Sequence, residues 1–217
     1  MAREGCCIVA LQPEGDAVPK LLETIRELAP MEKDDLLAED GAGRVLLIKG
    51  GEDPAEAAEF AMALLDTVEG ETGIRLKAGV SAGHAGPAEW PAGYREAVEA
   101  IRTGERFARS GRVQVYGDQA LERLLGELPA ESRKRFRKQL AAGKDILTPE
   151  TRETAERFFE ADLNLSVAAR QMFIHRNTLT YRLDRIQKET GLDLRKFNDA
   201  VIFRVLMSLA AAEEEKD

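Results

Sequence analysis

NLSVAARQMFIHRNTLTYRLDRIQKET, residues 164–190, is the stretch on which the reading of the whole chain turns. Two short helices separated by a tight turn can be read from it. Ser166 suits an N-cap, and Val167 to Met172 follow with fair to good helix propensity. Phe173 and Ile174 are apolar residues at the joint, placed to wedge the two helices together. His175 precedes a second run, Arg176 to Lys188, in which Leu179, Leu183 and Ile186 recur at i, i+4 and i+7 as one apolar stripe. At 100° per residue the opposite face carries Asn177, Tyr181 and Lys188, flanked by Thr178 and Arg185. A short helix set against a longer one with a polar, basic outer face is the build of a helix-turn-helix, whose second helix enters a major groove leading end first.

Charge points the same way. Between Ser166 and Lys188 the bases are Arg170, Arg176, Arg182, Arg185 and Lys188, and the one acid is Asp184, a net of +4. The whole chain is −8, so the remainder carries −12. A basic island in an acidic protein implies a local contact with a polyanion rather than non-specific coating of nucleic acid. Pattern and charge alone leave an ordinary solvated helical hairpin as the alternative.

The residues themselves narrow the choice. FIHRNTLTYRLDRIQKETGLDL, residues 173–194, resembles the C-terminal signature of the PucR/CdaR family of bacterial transcription regulators. The carrying positions are Phe173, His175, Arg176, Asn177, Thr178, Leu179, Tyr181, Arg182, Leu183, Arg185, Ile186, Thr190, Gly191, Leu192 and Asp193. A milder similarity to Fis-type helix-turn-helices rests on the Arg-x-Thr-Leu start of the second helix. The resemblance implies a double-stranded DNA operator as partner and a homodimer, since half-sites one helical turn apart need two reading heads. The candidate DNA-binding residues are Arg176, Asn177, Thr178, Thr180, Tyr181, Arg182 and Arg185, with His175 and Ser166 more suited to capping helices than to reading bases.

Ahead of this stretch the order is β-α-β-β-α-β-α-β. Residues 6–11 form a buried strand and residues 17–29 a helix with Val18, Leu21, Leu22, Ile25 and Leu28 on one face. Residues 35–39 and 45–49 are strands joined by a hairpin at Asp40-Gly41-Ala42-Gly43. Pro54 opens a helix to about Glu69, with Ala58, Ala61, Met62 and Leu65 inward. Leu76 to Ala82 is a strand, about Pro91 to Arg109 a helix, and Val113 to Tyr116 the last strand. The first six elements follow the ferredoxin-like scheme, an antiparallel sheet with helices on one face. Fold class is therefore α+β: a ferredoxin-like domain at 1–117, a helical linker at 118–147 and an all-α helix-turn-helix domain at 148–217.

LeuLysAlaGlyValSerAlaGly at 76–83, Tyr94-Arg95-Glu96-Ala97, Ala100 and Gly104 resemble the degenerate GGDEF-like domain that precedes the helix-turn-helix in the same family. A working diguanylate cyclase holds Mg²⁺ with acids on the first strand and at the hairpin, because Mg²⁺ demands oxygen ligands. Here the hairpin reads AspGlyAlaGlyArg at 40–44 and the first strand has no acid. Asp40 is better explained by turn chemistry, so the domain is read as a dimerisation or signal-relay scaffold and not an enzyme. A protein-interaction or nucleotide-binding module derived from a cyclase fold is the rival reading. His84 is read as a solvated loop residue and Trp90 as a helix-entry anchor.

Cys6 and Cys7 are adjacent and cannot staple distant parts of the chain, and with His84 and His175 they show no zinc spacing. No cofactor is expected. No signal peptide and no run of about 18 apolar residues is seen, which gives a cytoplasmic expectation. The family pattern includes an upstream sensor domain, so an effector stays open. The basic helix at 131–140 can touch phosphate, although a solvated face is the simpler reading. Residues 148–160 form a helix capped by Thr148, with Thr154, Ala155, Phe158 and Phe159 packing inward. In the closing helix, 199–212, Ile202, Val205, Leu206 and Leu209 make an apolar face that is domain core or dimer seam.

Overall fold

A computed structural model describes residues 5–15, 21–51, 53–107, 111–141 and 147–214. The expected start of the first helix, with Val18, and the expected end of the helix running to about Arg109 lie outside them. The chain forms two compact units, Met1–Arg123 and Leu124–Asp217.

In the first unit, strand β1 (Cys6–Pro13) is followed by helix α1 (Leu21–Leu28), strands β2 (Leu36–Glu39) and β3 (Val45–Gly50), helix α2 (Pro54–Thr72), strand β4 (Leu76–Val80), helix α3 (Trp90–Arg106) and strand β5 (Val113–Val115). The sheet order is β2-β3-β1-β4-β5. β1 pairs antiparallel with both β3 and β4, β2 with β3, and β5 runs parallel to β4. The first four strands are thus the split βαβ arrangement of a ferredoxin-like sheet, and the hairpin closes at Asp40 to Arg44 as expected.

α1 and α2 share one face of the sheet, as expected for the first six elements, and α3 covers the other. Cys7, Val9 and Leu11 point into a core with Leu21, Ile25, Leu64 and Leu65, while Ile8 and Ala10 pack on Ala97, Val98 and Ile101 of α3. This double burial is why β1 reads as a continuous apolar run rather than an alternating one. α2 turns Ala57, Ala61, Leu64, Leu65 and Val68 inward. Met62, expected inward, is exposed and Ala58 only half-buried, because an alanine-rich helix offers periodicity too weak to set its rotation. Asp53 caps α2 in a reciprocal capping box with Glu56.

Gly79 and the hairpin network explain much of the GGDEF-like segment. A Cβ on Gly79 would meet the Ala97 carbonyl oxygen at 1.9 Å, so α3 can lie on β4 only where that strand has no side chain. Asp40 accepts from the amides of Ala42 and Arg44, from the Arg44 guanidinium at 2.9 Å and from the Tyr94 hydroxyl at 3.1 Å. His84 is not the solvated residue expected. Its side chain is largely buried, Nε2 lies 2.9 Å from the Glu96 carboxylate, and its backbone pairs with Cys6. Trp90 does open α3 and packs on the second core. Lys49 and Asp35 form a buried pair at 2.7 Å, with the Lys49 ammonium 4.2 Å from the centre of the Phe60 ring.

The stretch expected as a linker carries α4 (Ala120–Glu127) and α5 (Ala130–Ala141), and the two units divide at Arg123–Leu124. In the second unit α5 packs against α9 (Phe197–Glu214). Between them come α6 (Pro149–Glu160), α7 (Leu165–Gln171) and α8 (Arg176–Thr190). Their common core holds Ala155, Phe158, Ala168, Leu179, Leu183, Ile186, Phe203 and Leu206. α9 presents Phe203, Leu206, Met207 and Ala210 to this core, not the expected Ile202 and Val205. Ile202 is exposed, since a helix apolar around most of its circumference does not announce which side is inside.

Candidate nucleic-acid interface

The three helices of the reading unit are set by their ends. Thr148 caps α6 by accepting from the Thr151 amide at 3.2 Å, with Pro149 at the first helical position. The cap of α7 is Asn164, not Ser166: its Oδ1 accepts from the amides of Ser166 and Val167, both at 3.1 Å. Ser166 stands two places inside the helix with its side chain exposed. Asn and Ser are equally good N-caps, so neighbouring candidates cannot be ranked from sequence. His175 caps α8 as expected, its Nδ1 accepting from the Asn177 amide at 3.2 Å.

α7 ends in a Schellman turn. The Ile174 amide donates to the Ala169 carbonyl and the Phe173 amide to the Arg170 carbonyl. Ile174 then packs on the core. Phe173 does not wedge the helices: it sits at φ +54° and is 96% exposed.

On α8 the apolar stripe is buried as expected, with Leu179 and Leu183 at 0% exposure and Ile186 at 3%. Burying that stripe forces the opposite face outward. Arg176, Asn177 and Thr178 at the leading end are exposed, as are Tyr181 (70%) and Lys188. Arg170, Arg176 and Lys188 make no ion pair with any described residue, whereas Arg182 and Arg185 are engaged. Glu150, in the first turn of α6, takes Arg182 at 3.2 Å on one oxygen and Arg185 at 3.3 Å on the other. Arg182 also donates to the buried Thr154 hydroxyl at 3.4 Å. Arg185 donates to Glu189 at 3.0 Å, and Glu189 first, then Glu150, hold its guanidinium above the ordinary arginine value. Thr180 turns its hydroxyl to the Arg176 carbonyl at 3.1 Å and is half-buried.

Of the nine candidates, four therefore form an open leading surface, two are basic but clamped to α6, and Thr180, His175 and Ser166 serve the helices or stand apart. Glu150 was missed because it lies about thirty residues upstream, with no local signal linking it to α8.

Residues 151–211 match the model of the PucR C-terminal helix-turn-helix domain, and residues 2–103 match that of the GGDEF-like domain. The chain belongs to the PucR/CdaR family. Among curated relatives, the carbohydrate diacid regulator of Escherichia coli is 29% identical over 142 residues, 63% of this chain and 36% of that protein. The purine catabolism regulatory protein of Bacillus subtilis is 29% identical over 108 residues, 48% of this chain and 20% of that one. The DNA-binding transcriptional activator AdeR of Bacillus subtilis is 32% identical over 113 residues, 48% and 26% of the respective chains. The chain thus spans roughly a fifth to a third of the lengths of these family members. A solved regulator of polyketide synthase expression from Bifidobacterium adolescentis shares 20% identity over 99% of this chain and 82% of that one. Its TM-score of 0.38 is too low to carry a structural argument.

Among the described residues no three His, Cys, Asp or Glu side chains gather as metal ligands do. No helix among them is long and apolar enough to cross a membrane.

Proposed function

We propose that this PucR/CdaR-family chain is a sequence-specific DNA-binding transcriptional regulator that reads a major groove with α8. One observation carries the reading: the leading end of α8 is exposed and basic while the opposite side of the same helix is sealed in the core. Arg176 is assigned bidentate contact with guanine O6 and N7. Asn177 reads adenine or bonds a phosphate, and Thr178 with the helix-terminal amides suits a phosphate. Tyr181 contacts backbone or base further along. Arg182 and Arg185 lie along the flank towards α6 and are assigned phosphate contacts. Their engagement by Glu150 withholds them from DNA of random sequence and yields to phosphates only in the specific complex.

The N-terminal unit is assigned dimerisation or signal relay rather than catalysis. The only carboxylate in the hairpin turn 40–44, Asp40, is committed to Arg44 and Tyr94, and β1 has no acid. Two copies, acting in the cytoplasm on a two-fold operator, follow from the reach of a single helix-turn-helix. Capture of sheared genomic DNA by the purified chain, followed by sequencing, tests the proposal. A shared motif is expected. Arg176→Ala should bind that motif about tenfold to a hundredfold more weakly and accept any base at one position. Equal binding by Arg176→Ala would remove Arg176 from its role, and recovery of no motif would remove the function.

A further inference from the structure

We infer that Phe173 is a DNA-contacting residue, seated against apolar surface of the duplex beside the leading end of α8; the inference rests on the DNA-binding reading above. Two disadvantages meet at this one residue. It holds the left-handed conformation, φ +54°, at the position of a Schellman turn where glycine is strongly preferred. Its ring is also 96% exposed, so it gains nothing from the core. Either disadvantage alone has a ready explanation elsewhere in the same unit. The turn after α6 is also a Schellman turn, formed by the amides of Leu163 and Asp162 donating to the carbonyls of Phe158 and Phe159. There Asp162, a short polar residue tolerant of this conformation, takes φ +52°, and Leu163, at φ +60°, is packed against the core. Phe173 has neither polarity nor burial. A folding requirement would be met better by glycine, so the ring serves something outside the fold.

The surroundings indicate the occupant. Arg170 and Gln171 just before it, and Arg176 and Asn177 just after, are all exposed. Neither arginine has an acidic partner among the described residues. An isolated aromatic ring within a cationic surface fits a polyanion that also offers apolar area. Duplex DNA does so through deoxyribose and the thymine methyl group. The turn 172–175 leads directly into the helix assigned to the groove, so the contact continues that interface rather than creating a separate one.

The test uses the full chain and a duplex that the wild type selects from a randomised pool. Phe173→Gly is expected to raise the thermal midpoint by about 2–4 °C, by relieving the turn. It should weaken the selected duplex about tenfold while leaving the oligomeric state unchanged. Phe173→Trp should keep the affinity. Replacing thymine by deoxyuridine in the duplex assigns the source: loss of affinity in the wild type alone marks a thymine methyl, and no loss marks deoxyribose. Unchanged affinity in Phe173→Gly overturns the inference while the DNA-binding reading stands. So does a loss of affinity that accompanies dissociation of the protein, which would give the ring to a second copy. Failure of the wild type to select any duplex overturns both.

Discussion

Replacing Glu150 by glutamine should make the protein a better non-specific DNA binder and a slightly less stable one. Glu150 holds two of the five bases of the reading stretch, Arg182 at 3.2 Å and Arg185 at 3.3 Å. Glutamine keeps the size of the side chain but releases Arg182 from its fixed negative charge, while Arg185 keeps its 3.0 Å bond to Glu189. If Arg182 then meets a phosphate, the slope of log K against log salt steepens by about 0.9. Over a fourfold dilution, from about 200 to about 50 mM salt, that is a gain of about threefold beyond that of the wild type. Loss of an acid from the first turn of α6 costs about 0.3–1 kcal/mol through the helix dipole, so stability should fall slightly. The two effects have opposite signs, and partial unfolding cannot imitate the result. The assay is fluorescence anisotropy with a labelled duplex of random sequence over that salt range. Adding Glu189→Gln to Glu150→Gln, which frees Arg185 as well, should give about twice the steepening. An unchanged slope in Glu150→Gln, or weaker binding at low salt, would refute the reasoning and leave Arg182 as a structural tie between α8 and α6.

Three further outcomes are expected in the first unit. Gly79→Ala should destabilise it by more than about 2 kcal/mol in urea unfolding, because the new Cβ would lie 1.9 Å from a backbone oxygen that cannot step aside. Asp35→Ala should cost about 3–5 kcal/mol by removing the carboxylate 2.7 Å from the buried Lys49 ammonium, whereas Asp35→Leu with Lys49→Met should recover most of it; equal loss in both would count against the pair. For Asp40, burial pushes the carboxyl up, but bonds from Arg44, Ala42 and Tyr94 outweigh it and hold the group below 3.8. A depressed folded-state value means stability that is present above the unfolded value and lost as pH falls through the folded one. Thermal midpoints of the wild type should therefore drop below about pH 4 more steeply than those of Asp40→Asn, and parallel curves would contradict this.

Much of this was legible along the chain because it is local. Hydrophobic period marked the buried stripe of α8, a two-sided apolar run marked β1, and Asp40-Gly41-Ala42-Gly43 marked a hairpin. The order of elements was sufficient for the ferredoxin-like sheet, because few topologies join them without crossing. Burial of Leu179, Leu183 and Ile186 implied that Asn177 and Tyr181 face out, since an α-helix has only one opposite side. The tertiary structure alone decided what depends on partners distant in sequence or on the balance between equivalent neighbours. Glu150 meets Arg182 and Arg185 across some thirty residues, His84 is drawn in by Glu96, and α3 comes to rest on the face away from α1 and α2. The choice of Asn164 over Ser166 as cap, and of Phe203 over Ile202 as core, was between residues of equal intrinsic merit. Phe173 combines both causes. Its apolar side chain suggests burial, but the turn that closes α7 sends Ile174 inward and leaves the ring in solvent, because adjacent residues in a left-handed turn cannot both face the core.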